Sequence, residues 1–124
     1  MRMKDKKILI IEDDTFLSNI YKTKLTKEGF SILMADNGED GLALMKSEKP
    51  VLVLLDIMLP KMDGFEVLER VQKDAKLKKI PIVIMSNLGQ DSDVEKGKTL
   101  GAVDYIVKSD TTLENVITTI NKYL

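Results

Sequence analysis

Four stretches of this sequence carry side chains with chemistry to offer: Glu12-Asp13-Asp14, Asp56, Ser86-Asn87 and Lys108. Each stands at the end of an apolar run. Carboxylates gathered within a few ångströms repel one another and raise each other's pKa unless a cation lies among them. The chain has no His and no Cys, and oxygen ligands alone select a hard cation such as Mg2+. A carboxylate held beside such an ion is a competent nucleophile toward a phosphoryl donor, giving an aspartyl phosphate. Positioning and charge neutralisation supply most of the catalysis in such a transfer. The Lys108 ammonium and the Ser86 hydroxyl are suited to holding phosphoryl oxygens.

The elements that must position these groups read as five strand-helix alternations. The strand candidates are Ile8 to Ile11, Ser31 to Ala35, Val51 to Leu55, Pro81 to Met85 and Val103 to Val107. Three of them are almost continuously apolar, the pattern of strands buried on both faces of a parallel sheet. The runs at 31–35 and 103–107 are more mixed, as strands nearer an edge are. Phe16, Leu17, Ile20, Tyr21 and Leu25 recur at helical spacing behind Asp14, a candidate N-cap. Leu42, Leu44 and Met45 follow Asn37-Gly38 as a second helix. Phe65, Val67, Leu68 and Val71 follow Asp63-Gly64, with Asp63 and Glu66 at capping-box spacing. Leu113, Val116, Ile117, Ile120 and Leu124 form a last amphipathic helix, which Thr111 with Glu114 is placed to cap. The segment 90–99 is polar nearly all round and contains Gly97, so it is expected to be the weakest and most mobile helix.

Alternating strands and helices predict one doubly wound α/β domain with right-handed crossovers. Ligands of such sheets bind at the carboxyl ends of the strands, where all four reactive stretches fall. Taken singly, each residue has a plain role: Asp14 as an N-cap, Ser86 as a turn residue, Lys108 as a surface lysine. Asp56 differs, because it ends the most buried strand, where an unpaired charge is costly. Convergence of all of them on one edge favours a built site.

In order and spacing these residues resemble the receiver domains of bacterial response regulators. The resemblance runs through Ile8-Leu9-Ile10-Ile11-Glu12-Asp13-Asp14, then Leu54 to Gly64, then Ile82 to Ser86, and finally Gly101 to Lys108. It implies a flavodoxin-like, five-stranded parallel sheet of order 2-1-3-4-5 with five helices. It also implies a single receiver domain over residues 1–124 with no output domain. By this resemblance Asp56 accepts a phosphoryl group from a sensor histidine kinase or phosphotransfer protein. Asp13 is a direct Mg2+ ligand, Glu12 acts through water, and the Met58 backbone carbonyl completes the protein ligands. Ser86 and Lys108 bind phosphoryl oxygens, and Tyr105 is the aromatic switch that turns inward on activation. Such a chain is no enzyme beyond its own phosphorylation and dephosphorylation. It signals to a downstream protein, as a monomer or as a phosphorylation-dependent dimer.

Two positions depart from the family. Ser109 follows Lys108 where the family usually has a proline with a cis bond, and a cis bond before a non-proline residue costs about 3 kcal/mol. The sequence leaves open whether Lys108 is delivered by a strained cis bond or a trans one. Asn87 replaces the usual small residue. With Met58 and Leu88 it is expected to crowd the acyl phosphate, exclude water and slow its hydrolysis.

Composition narrows the alternatives. The 124 residues fit one domain, and 44% hydrophobic with 31% charged residues is enough for a core. With no Cys there are no disulfides. The opening, Met1 to Lys7, is basic but lacks the apolar middle of a signal peptide, and no run approaches the roughly 20 residues of a membrane span. A cytoplasmic protein is expected. The net charge of −1 and 5% aromatics offer a nucleic acid little, and the lysines at 4, 6, 7, 73, 76, 78 and 79 read as solvated surface. The rivals are a pseudo-receiver used as a phosphorylation-independent interaction module, a receiver cut from a longer regulator, and a small Mg2+-dependent phosphatase. The phosphatase fits worst: Met58 stands where such enzymes carry their second acid, and the sequence shows no cap domain.

Overall fold

The computed structural model describes residues 6–124, so the basic opening at 1–5 lies outside the described residues. In chain order come β1 (Lys7–Ile11), α1 (Thr15–Lys27), β2 (Ser31–Ala35), α2 (Gly38–Glu48), β3 (Leu52–Leu55) and α3 (Gly64–Gln72). They continue with β4 (Ile82–Ser86), α4 (Asp91–Thr99), β5 (Asp104–Val107) and α5 (Leu113–Lys122). The five strands are parallel in the order β2-β1-β3-β4-β5, the flavodoxin-like topology expected from the sequence. The mixed strands β2 and β5 are indeed the edges.

The period of two along each strand divides the core. Ile8 and Ile10 of β1, Leu52 and Leu54 of β3, and Val83 and Met85 of β4 pack with Tyr21 and Leu25 of α1 and Val116, Ile117 and Ile120 of α5. Leu9, Ile11, Val53, Leu55, Ile82 and Ile84 pack on the other face with Leu42 and Met45 of α2 and Val67, Leu68 and Val71 of α3. Each fully buried aliphatic side chain contributes about 1.5–3 kcal/mol, so the core fixes strand register firmly. Ile11 pairs with Leu55, Leu55 with Ile84, and Ser86 with Val107. β1 and β3 therefore end level, β4 and β5 end level with each other two residues further on, and the residues at these ends face one another.

Three sequence expectations need correction. Phe16 and Ile20 do not share the core face of α1, being 77% and 39% exposed. The buried stripe runs through Tyr21 and Leu25, while Phe16 and Ile20 occupy the neighbouring stripe, about 100° round the helix. The cap of α5 is Thr112, whose hydroxyl accepts the Asn115 N–H at 3.1 Å, one residue later than expected. Leu124 lies beyond α5 and is exposed. The other caps stand as read: Asp14 accepts the Leu17 N–H at 3.0 Å and Asp63 the Glu66 N–H at 3.0 Å.

Helix α4 is formed, with Gly97 its only buried residue. Its entry is held by Asp93, which accepts the Gln90 N–H at 3.2 Å, and its flank by Lys96, whose ammonium lies 4.4 Å from the Phe65 ring centre. Among the described residues there is no cis peptide bond. Lys108 is thus delivered by a trans bond, through a 3-10 turn over Lys108–Asp110. No helix among them is long and apolar enough to cross a membrane.

Candidate functional site

The carboxyl ends of the strands gather the reactive residues. Glu12 follows Ile11, Asp56 follows Leu55, Ser86 ends β4 and Lys108 follows Val107. With Asp13, Asp14, Met58 and Asn87 they line a cleft of about 300 Å3 at the carboxyl edge of the sheet. Carboxylate oxygens of Glu12, Asp13 and Asp56 lie within 4.8 Å of one another.

Backbone donors set the orientation of the acids. Asp56 Oδ1 accepts the Ile57 N–H at 2.7 Å and the Met58 N–H at 3.4 Å. Glu12 Oε2 accepts the Asp14 N–H at 3.2 Å. The chain after Asp56 turns back so closely that Gly64 donates its N–H to Ile57 O at 2.8 Å. A Cβ on Gly64 would stand 2.4 Å from the Asp56 carbonyl oxygen, so only glycine allows this turn.

Lys108 supplies the single cationic side chain of the cleft. Its ammonium donates to Asp56 Oδ2 at 2.8 Å and also to Glu12. Burial pushes the Glu12 carboxyl up to about 7; Lys108 pulls it down, and Asp56 adds to the rise. For Lys108 burial favours the neutral amine, but the bonds to Asp56 and Glu12 outweigh it, and the net shift is upward. One ammonium does not balance three carboxylates. A cluster of oxygen donors with surplus negative charge, two of its acids almost wholly buried, fits a hard divalent cation.

Asp14 turns out to be engaged twice, as the cap of α1 and as the N–H donor to Glu12. Leu88 is not a wall of the cleft, contrary to expectation; its side chain packs against the core. Tyr105 also stands outside the cleft, joined to it through a residue that sequence reasoning did not single out for this. The Leu88 N–H donates to Ser86 Oγ at 3.3 Å, and the Leu88 carbonyl accepts the Tyr105 hydroxyl. No side-chain motif marks a backbone link of this kind.

Comparison with known proteins gives the family and agrees with the fold. The family model for the response regulator receiver domain matches residues 8–121. Protein PilH of Pseudomonas aeruginosa is 39% identical over 120 residues, covering 95% of this chain and 97% of PilH. The probable transcriptional regulator ycf27 of Porphyra purpurea is 37% identical over 108 residues, which is 87% of this chain and 43% of ycf27. The chain thus spans less than half the length of that longer relative. Among solved structures, the BeF3-activated N-terminal receiver domain of Klebsiella pneumoniae RstA superposes with a TM-score of 0.88 at 29% identity, covering 95% of this chain and 97% of that one.

Proposed function

The chain belongs to the response regulator receiver domain family, and on that premise we propose that Asp56 is its phosphoryl acceptor and Mg2+ its metal. The observation that carries this reading is the setting of Asp56. Asp56 is 7% exposed in an acid-lined cleft, its carboxylate within reach of Glu12 and Asp13 and hydrogen-bonded to Lys108.

Glu12, Asp13, Asp56 and the Met58 carbonyl would hold the ion. When bound, Mg2+ supplies positive charge that lets the acids stay ionised together and offsets charge on the transferring phosphoryl group. An Asp56 oxygen attacks the donor phosphorus; as that O–P bond forms, the bond to the donor breaks and its electron pair leaves with the donor. The backbone N–H groups of Ile57 and Met58 hold the carboxylate in line for this attack. Lys108, freed from one carboxylate partner, turns its donors to a phosphoryl oxygen. The Ser86 hydroxyl donates to another.

The donor is a sensor histidine kinase or a phosphotransfer protein, and the product is a signal read by a downstream protein. The chain acts on no substrate but itself. Intact mass after incubation with a small acyl-phosphate donor and Mg2+ tests the reading, with Asp56→Asn as control. A gain of one phosphoryl group that needs both Mg2+ and Asp56 supports it. No gain in a folded protein would sink it and favour a phosphorylation-independent interaction module.

A further inference from the structure

Gly97 sits inside the most polar helix of the fold, where glycine costs about 1 kcal/mol relative to alanine. Its surroundings explain why no side chain is present. A Cβ there would lie 2.5 Å from Ile84 Cδ1, and 3.0 and 3.2 Å from Cδ2 and Cε2 of Tyr105. Ile84 and Tyr105 are register partners on β4 and β5. The bare backbone of α4 therefore rests directly on this pair, and the Tyr105 ring fills the slot between helix and sheet. At its far end the ring is pinned by hydroxyl donation to the Leu88 carbonyl. Burial, then the charge of Asp93, pushes the Tyr105 hydroxyl up, so it keeps the proton that it donates.

We propose that Gly97 is a positioning residue that seats the Tyr105 ring inward, so that the face built by α4 and β5 has its ring-in shape before Asp56 carries a phosphoryl group. The proposal rests on the receiver reading only for what that face signals. The ring-in arrangement is also compatible with phosphorylation. Ser86 Oγ accepts from the Leu88 N–H, and a hydroxyl that accepts still has its own proton to give. Engaging a phosphoryl oxygen breaks no bond in the string Ser86–Leu88–Tyr105. Phosphorylation then strengthens an arrangement already populated, and the downstream partner meets a partly prepared surface. With alanine at 97, the Ile84 Cδ1 methyl must rotate aside and the Tyr105 ring must give by a few tenths of an ångström, so the inward state loses population. By reciprocity, a ligand mimicking the phosphoryl group binds such a variant more weakly.

The test is NMR of the full chain with labelled tyrosine, first metal-free and unphosphorylated. Ring-proton contacts from Tyr105 to the Gly97 α-protons are expected in that state, and little change on adding beryllofluoride with Mg2+. Gly97→Ala should weaken the ring contacts to α4, regain them with beryllofluoride, and bind it more weakly, by about fivefold. Ring contacts that form only after beryllofluoride is added to the wild type would overturn the proposal, as would contacts and affinity unchanged in Gly97→Ala. Should Gly97→Ala fail to fold, Tyr105→Phe decides. A ring that stays against Gly97 without its hydroxyl supports the slot, and a ring that leaves it assigns the seating to Leu88 and overturns the role of Gly97. If wild-type ring contacts are present but beryllofluoride does not bind, the phosphoryl-acceptor reading fails while the Gly97 seat stands.

Discussion

The Lys108 ammonium lies 2.8 Å from Asp56 Oδ2 and donates to Glu12 as well, so one side chain, 11% exposed, joins the ends of β1, β3 and β5. A lysine whose pKa is raised on folding contributes stability in full below its ordinary value of 10.5, and loses it only as pH rises through the folded value. The contribution is therefore complete at neutral pH. Lys108→Ala leaves two buried acids without their cation and is expected to lower metal-free stability by about 3 kcal/mol. Saturating Mg2+ should recover much of the loss. Urea denaturation at about pH 8, with and without Mg2+, checks both statements. Unaltered metal-free stability would show that Lys108 is not the counter-charge of the cluster.

Glu12 gives the metal-free protein a pH dependence of the same sense in a lower pH window. Burial raises its carboxyl from 4.5 to about 7, with Asp56 adding to the rise against the pull of Lys108. The folded protein thus holds a proton that the unfolded chain releases. As far as Glu12 is concerned, stability is greatest below pH 4.5, falls as pH rises toward about 7, and is level above. A cation would bind the ionised cluster, so the stabilisation given by a fixed excess of Mg2+ should grow up to about pH 7 and then flatten. The slope below that point is at most about tenfold in affinity per pH unit. Denaturation midpoints across this range measure it. An Mg2+ increment independent of pH would remove Glu12 from the metal site.

Phe16 begins an exposed apolar groove with Ile20 and Leu113, of about 420 Å3, only two residues beyond Asp14 of the acidic cleft. A protein donor docked over Asp56 would cover this neighbouring surface, whereas a small acyl phosphate would not. Burying an exposed phenylalanine is worth about 1.5–3 kcal/mol. Phe16→Ser should therefore slow phosphoryl transfer from a histidine phosphotransfer protein by roughly tenfold or more. The rate with the small donor should not change. Equal slowing with both donors would instead place the effect in the cleft.

The strands and the cleft were legible because both follow from period and position, whereas the strand order was implied by the family resemblance alone. Apolar runs mark the strands, and the residue after each run marks the site. Helix α1 was misread because five apolar residues from Phe16 to Leu25 cover more of the helix than the core needs, and spacing alone does not say which stripe is buried. Leu88 looked like a bulky wall, yet its side chain joins the core and its backbone links Ser86 to Tyr105. Gly97 looked like a defect in a weak helix. Its value lies in a contact across the sheet with Ile84 and Tyr105, which no local pattern contains.

Hydrolysis of the acyl phosphate depends on which side chains meet the incoming water. Met58 and Asn87 line the cleft beside Asp56, whereas Leu88 does not. Met58 is 61% exposed, and its thioether is only a weak acceptor for a water near the phosphorus. An amide at the same place offers a donor and a strong acceptor. Met58→Asn is therefore expected to shorten the phospho-lifetime several-fold, with phosphorylation by the small donor unchanged. Leu88→Glu is unsuited to the question, since a charge against the core destabilises the fold. The measurement is loss of phosphoryl mass over time after the donor is removed. A wild-type lifetime of seconds, unaltered by Met58→Asn, would mean that water already reaches the phosphorus freely and that the wall does not control hydrolysis.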